Sequence, residues 1–331
     1  MGPVAWRTPP RHYGPWELVT SLIAEGLVAR GVDVTLFATL DSVTGATLDG
    51  VCPTGYAESP GMDGRIWEAL HVAHALKRSG EFDIVHNHID WLPLAFAQNF
   101  QAPLLTTIHG FSGRGILPAY LNARSSSYVS ISDADRAPEL PYVATIHHGI
   151  DLHQLPFSAA GGDALVAFGR IHPDKGTAAA IDIARRAGRR LVICGIVQDA
   201  TYFEQQVRPH IDGDRVTYLG SVGPDRRAQV LGAAGALLHP IAFAEPFGLS
   251  VVEAMACGTP VITYPLGSMP EVVDDGVTGY LVDGVEAAAA AVDKAAALDR
   301  AAIRRVAERR FGADRMVDDY LTLYQRLIGV R

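Results

Sequence analysis

Glu245-Pro246-Phe247-Gly248-Leu249-Ser250-Val251-Val252-Glu253-Ala254-Met255-Ala256-Cys257-Gly258-Thr259-Pro260-Val261-Ile262 sets two carboxylates eight residues apart around a Pro-Phe-Gly turn. The turn opens a short helix of small residues, which stops at Gly258-Thr259-Pro260 and runs into an apolar strand. A helix start of this kind leaves backbone N–H groups unpaired and carries partial positive charge. It can seat a phosphate, while the flanking carboxylates accept hydrogen bonds from sugar hydroxyls. The rest of the chain reads as built to bring a second substrate to this turn.

Moving outward, apolar runs at 164–168, 190–194, 216–219, 235–239 and 279–282 predict strands, with a helix near 177–187 and further helices between 285 and 327. Ahead of a small-residue seam at 152–163, strands are predicted at 32–38, 82–86, 104–108, 128–131 and 143–146. Helical spacing runs from Leu18 to Arg30 and across 65–78, and Gly2 to Trp6 read as the end of a strand. Alternating strands and helices predict an α/β chain whose parallel sheets are covered on both faces. The expected layout is two Rossmann-like domains facing across a cleft, residues 1–155 and 163–312. Residues 313–331 form a helix expected to cross back to the first domain.

Bulk properties narrow the function. With 48% hydrophobic and 19% charged residues, 331 residues can bury two sizeable cores. A net charge of −8 argues against a nucleic-acid partner. Cys52, Cys194 and Cys257 are far apart, odd in number and without a CxxC pair, which favours a reducing compartment and weighs against structural zinc. No run of 18 apolar residues occurs, and the N-terminus lacks the pattern of a secretory signal. A cytoplasmic location is expected.

Several residues could carry chemistry. Ser250-x-x-Glu253 fits a helix-capping box, so Glu253 has a structural as well as a functional reading. Glu245 near a helix start likewise suits a surface carboxylate. Five features coincide here, though: Glu245, the Pro-Phe-Gly turn, the small helix, Gly258-Thr259-Pro260 and the strand leading to Gly267-Ser268-Met269-Pro270-Glu271. Capping needs two of them. Arg170 and Lys175 lie just past a strand end, five residues apart, with Gly176 opening a helix. Two cations there would neutralise a diphosphate as it leaves a sugar. The string is not a Walker A loop, because no Ser or Thr follows Lys175 directly.

His86-Asn87-His88-Ile89-Asp90 begins like a metallo-hydrolase ligand set. That pattern continues with His, whereas Trp91 follows here, and βα alternation does not suit the sandwich such enzymes use. A loop at a strand end, with His88 or Asp90 toward an acceptor, fits better, and no metal is expected. The basic pairs Arg185-Arg186, Arg189-Arg190 and Arg309-Arg310 read as solvated faces, which leaves peripheral membrane contact open as a minor reading.

The segment from Glu245 to Glu253 resembles the E-x7-E region of retaining glycosyltransferases of family 4, which adopt the GT-B fold. Gly169-Arg170-Ile171-His172-Pro173-Asp174-Lys175-Gly176 is similar to that family's Gly-Arg…Lys-Gly stretch, and Leu219-Gly220-Ser221-Val222 to its nucleotide-base segment. Residues 270–279 resemble its Pro-Glu…Gly-x-x-Gly stretch, and Tyr13-Gly14-Pro15-Trp16-Glu17 its Gly-Gly-x-Glu loop. The likeness spans nearly the whole chain, densely over 165–283. It implies a nucleotide-sugar donor, UDP-linked by expectation, a small-molecule or glycan/lipid acceptor, and no cofactor. It assigns Arg170 and Lys175 to the donor diphosphate, Glu245 and His109 to the donor sugar, and Glu253 to the ribose. Gly14, Gly169, Gly195, Ser221, Val222, Phe247, Gly248 and Leu249 join them on the donor side. Pro15 departs from the family loop and removes an N–H donor.

Other readings stay open at this level: a sugar-nucleotide epimerase or phosphorylase, and a non-catalytic nucleotide-sugar-binding protein. A dinucleotide oxidoreductase does not fit, because no G-x-G-x-x-G follows a candidate strand.

Overall fold

Apolar runs ended by Gly- and Pro-marked turns become parallel strands throughout the chain. The computed structural model describes residues 1–110 and 113–329. It divides into two units, Met1–Gly149 with the C-terminal helix Ala313–Gly329, and Ile150–Gly312.

In the first unit, β1 (Thr35–Phe37) pairs with β2 (Thr47–Asp49). A second parallel sheet runs β3 (Val85–Asn87), β4 (Leu104–Ile108), β5 (Ser127–Ser130) and β6 (Tyr142–Thr145), in that order. Met1 and Gly2 join the two sheets. Gly2 N–H donates to Phe37 O at 2.8 Å, the Met1 amino group to His86 O at 2.8 Å, and His88 N–H to Met1 O at 3.0 Å. All five residues of β4 are buried. Its two threonines are tolerated there because their hydroxyls are bonded, Thr106 by Asn87 and Thr107 by His86 and Tyr320. Helix Ala313–Gly329 lies on helix Pro15–Ala29, and Arg30 pairs with Asp318 at 2.6 Å.

The second unit carries β7 (Leu165–Phe168), β8 (Leu191–Cys194), β9 (Val216–Tyr218), β10 (Ala236–His239), β11 (Val261–Thr263) and β12 (Gly279–Leu281). All pair in parallel, in the order β12-β11-β10-β7-β8-β9. The winding reverses between β7 and β10, and open α/β sheets bind ligands beyond the carboxyl ends of strands at such a switch point. Helix Arg300–Phe311 packs on helix Leu249–Ala256, with Arg304 donating to Ala256 O at 2.6 Å.

Residues 150–155 go with the second unit rather than the first. Ile150 N–H donates to Phe311 O at 2.8 Å, and Arg304 also bonds Leu155 O. Several elements escaped the periodicity reading, among them the helical segments Leu92–Asn99, Leu117–Asn122 and 200–210. Strand β2 and helix Pro224–Ala233 escaped it too: the first is three residues long, and the second opens on Pro-Asp-Arg-Arg with few apolar positions.

Candidate active site

Strands β7 and β10 are hydrogen-bonded neighbours, so the loops leaving their carboxyl ends meet. Beyond Phe168 the chain makes a single turn, Pro173–Lys175, capped by His172, whose Nδ1 accepts from Asp174 N–H at 3.2 Å. Helix Thr177–Arg186 follows at once, which fixes Lys175 beyond the carboxyl end of the central strand β7. Beyond His239 the chain loops to Glu245 and enters helix Leu249–Ala256 at Gly248.

The two loops are joined by an ion pair. Lys175 Nζ donates to Glu245 Oε2, and the ammonium lies 4.6 Å from the centroid of the Phe243 ring. Glu245 is only 7% exposed. Burial pushes its carboxyl up, but His239 and Lys175 outweigh that and hold it down at about 2. His239 Nε2 lies 3.3 Å from the same Oε2, is buried, and is not aligned in a hydrogen bond. Burial, partly offset by Glu245, lowers the His239 imidazole below its ordinary value.

Backbone approach fixes these groups. Gly267 has φ of 59°, and a Cβ there would sit 2.3 Å from Glu245 N. Ser268 N–H then donates to Glu245 O at 2.8 Å. At Gly195, φ is 149° and a Cβ would lie 1.7 Å from Gly169 O. Only glycine lets the ends of β7 and β8 come this close. Gly195 N–H donates to Gly220 O at 2.9 Å, bringing in the loop that carries exposed Ser221 and buried Val222. Arg170 bonds the Gln198 side chain. A recess at the switch point is lined by Phe168, Gly169, Arg170, Lys175, Thr177 and His239.

The helix start is built differently from the capping-box reading. Gly248 is the N-cap, no side chain caps the helix, and Ser250 lies inside the first turn. Val251 and Val252 N–H bond Gly248 O, so the outward donors of this turn are Leu249 and Ser250 N–H. The Phe247 ring packs edge-on against Phe311 at 5.9 Å, leaving backbone as its contribution at the turn. Glu253 is buried, and its Oε1 accepts from Arg227 Nη1 at 2.7 Å. The Arg227 guanidinium lies 5.6 Å from the centroid of the Phe168 ring, which ties Glu253 to the end of β7.

Gly14 and His109 lie in the first unit. Gly14 is the N-cap of helix Pro15–Ala29, and Trp16 in its first turn stacks on His109 at 5.4 Å. Both His109 nitrogens are engaged, Nε2 with His88 Nδ1 at 2.9 Å and Nδ1 with His148 Nε2 at 3.2 Å. Burial lowers His109 to about 3. The His86 and His88 rings pack 4.0 Å apart, but Asp90 does not join them. His86 bonds Tyr324 and Thr107, while Asp90 accepts from Tyr120. Among the described residues no group of three or more His, Cys, Asp or Glu side chains could hold a metal ion.

The structure therefore brings Gly169, Arg170, Lys175, Gly195 and Glu245 together at the switch point. Glu253 reaches it through Arg227. The sequence reading overlooked three residues. His239 had a usable signal, a histidine ending an apolar strand, as His109 does. Arg227 and His148 had none, since their partners are distant in sequence.

Comparison with known proteins identifies the family. Residues 17–154 match the family described as Glycosyltransferase Family 4, and residues 158–309 match Glycosyl transferases group 1. The glycogen synthase of Mycobacterium tuberculosis is 30% identical, over 94% of this chain and 90% of that protein. The D-inositol 3-phosphate glycosyltransferase of Mycolicibacterium smegmatis is 28% identical, over 78% of this chain and 70% of its own length. HepE of Anabaena, solved in complex with UDP and glucose, superposes with a TM-score of 0.73 at 20% identity, covering 94% of this chain and 95% of that one. With both halves matched in tandem and a relative 30% identical across nearly its whole length, this chain belongs to the GT-B glycosyltransferases.

Proposed function

We propose that this glycosyltransferase takes its sugar from a nucleotide-diphosphate donor, a UDP-sugar, and passes it without a metal ion and with retention of configuration to a small-molecule or glycan/lipid acceptor. The observation that carries the reading is the buried Lys175–Glu245 pair at the carboxyl ends of β7 and β10, with Lys175 lining the same recess as Arg170. Arg170 and Lys175 neutralise the diphosphate as negative charge grows on it, aided by the Leu249 and Ser250 N–H groups. Glu245 accepts from hydroxyls of the donor sugar, and Glu253 from those of the ribose. Gly14 and His109 are assigned to the donor as well. No side chain stands out as a dedicated base, in keeping with attack on the face that the diphosphate leaves, the departing phosphate taking the acceptor proton. The UDP preference draws on HepE, and the acceptor class on the glycogen- and inositol-phosphate-directed relatives.

The test is transfer from UDP-, GDP- and ADP-glucose to glucan and inositol-phosphate acceptors, with and without chelator, the anomeric product being read by NMR. UDP-dependent transfer that is indifferent to chelator and gives the retained anomer is expected. An inverted anomer, or loss of activity with chelator, refutes that part of the proposal. Conversion to a new sugar nucleotide without acceptor points to an epimerase, and tight binding without turnover to a non-catalytic binder.

A further inference from the structure

Glu245 has two partners at one oxygen. Lys175 Nζ donates to Oε2, and His239 Nε2 stands 3.3 Å from that atom. Among the described residues Oε1 makes no hydrogen bond. The backbones bearing the carboxylate and the imidazole are fixed. His239 ends β10, and its carbonyl accepts from Thr263 Oγ1 at 2.8 Å and from Ile241 N–H at 2.9 Å. Glu245 is held through Ser268 N–H and the close approach of Gly267. The partner able to swing is Lys175, on its four-carbon stem.

Lys175 cannot serve the Glu245 carboxylate and a diphosphate at full strength together. Turning the ammonium to the diphosphate strips a buried carboxylate, its side chain 9% exposed, of its counter-charge. A carboxylate so deep is costly unless another donor replaces the one lost. His239 Nε2 is buried beside it with no hydrogen bond of its own, itself an unfavourable arrangement that one shared bond would relieve. We propose that His239 is a positioning residue that takes over Glu245 Oε2 when Lys175 turns to the donor diphosphate. The carboxylate stays in place, and Oε1 is free for a sugar hydroxyl. The proposal rests on the assignment of Lys175 to the diphosphate made above.

His239→Phe keeps a ring of similar size and removes the nitrogens, whereas His239→Gln restores a side-chain N–H. Calorimetric titration with UDP and UDP-glucose, steady-state kinetics and the ligand-free Tm provide the readouts. His239→Phe is expected to leave the ligand-free Tm near that of the wild type, since Lys175 still pairs Glu245. It should weaken UDP-glucose binding about tenfold or more and lower kcat. His239→Gln should recover binding to within about threefold of wild type. Wild-type affinity in His239→Phe overturns the proposal. So does an equal loss in both variants accompanied by a fall in ligand-free Tm, which would mark His239 as a packing residue. A wild-type protein that binds neither UDP nor UDP-glucose overturns the donor assignment, and this proposal with it.

Discussion

The ammonium of Lys175 is bonded to the carboxylate of Glu245, 70 residues further along the chain, with side-chain exposures of 16% and 9%. The pair locks the loop after β7 to the loop after β10, so its first effect is on folding. Lys175→Ala leaves a buried carboxylate with His239 alone beside it, and should cost about 2–3 kcal/mol in urea unfolding. Turnover should fall about a thousandfold or more, through loss of charge facing the leaving diphosphate. Adding Glu245→Gln separates the two effects, because it removes the stranded charge and should restore stability without restoring turnover. Near-normal turnover in Lys175→Ala would sink the assignment.

Arg227 gives Glu253 a different kind of support. The two meet at 2.7 Å with side-chain exposures of 18% and 7%, so Arg227→Ala strands the carboxylate at a cost of about 2 kcal/mol. If Glu253 holds the ribose, Glu253→Gln should weaken UDP binding about tenfold while reducing the preference for UDP over 2′-deoxy-UDP. Calorimetry with both nucleotides checks this, and an unchanged preference would leave Glu253 a structural partner of Arg227.

The contrast between these carboxylates shows what the sequence could carry. The loop, small helix and strand at 245–262 were legible because Gly and Pro mark their ends, and the second sheet was legible because its strands are short unbroken apolar runs. The capping box, the structural alternative for Glu253, does not form. Ser250 stands at the right spacing from Glu253, but the turn closes on Gly248, two residues earlier. The spacing of Arg170 and Lys175 shows that two cations leave one strand end, yet not that Lys175 points at Glu245, which depends on β10 pairing with β7. Arg227 and His148 act through partners that only helix packing and the folded sheet supply, whereas His239 is marked by its place at the end of an apolar strand.

Glu17 offers a test confined to the first unit. It lies buried in the first turn of helix Pro15–Ala29, where Trp6 N–H donates to its Oε1 at 3.2 Å. Burial raises its carboxyl to about 7, against two backbone N–H bonds that pull it down. Because the folded pKa lies above the unfolded one, the folded state holds the proton more tightly. Stability is undiminished below the unfolded pKa of 4.5, declines as pH rises toward 7, and then levels off. Glu17→Gln keeps an acceptor for Trp6 and removes the charge. It should be more stable than wild type at pH 8 by up to about 3 kcal/mol and similar at pH 4, by urea unfolding. Lower stability at pH 8 would show that the ionised carboxylate is held by more than these bonds.

The buried histidines give the opposite sign. His88, His109 and His148 form a hydrogen-bonded row, and His86 packs beside it with its ring 4.0 Å from that of His88. Burial lowers all four, His109 to about 3 and the others well below 6.5. His71, bonded to Gly2 O, is lowered to about 4 by burial. Here the folded pKa is depressed, so stability is fully present above 6.5 and is lost as pH falls, because the unfolded chain takes up protons that the folded one refuses. Each histidine adds a slope approaching about 1.4 kcal/mol per pH unit below 6.5. Glu17 tilts stability the other way over part of the same range, so the clean measurement is urea unfolding from pH 7.5 to 5.5 in the Glu17→Gln background. A steep loss toward pH 5.5 is expected, and His148→Asn should remove about one proton's worth of that slope while leaving stability at pH 7.5 comparatively little changed. A flat profile would mean that the histidine row accepts a proton without unfolding.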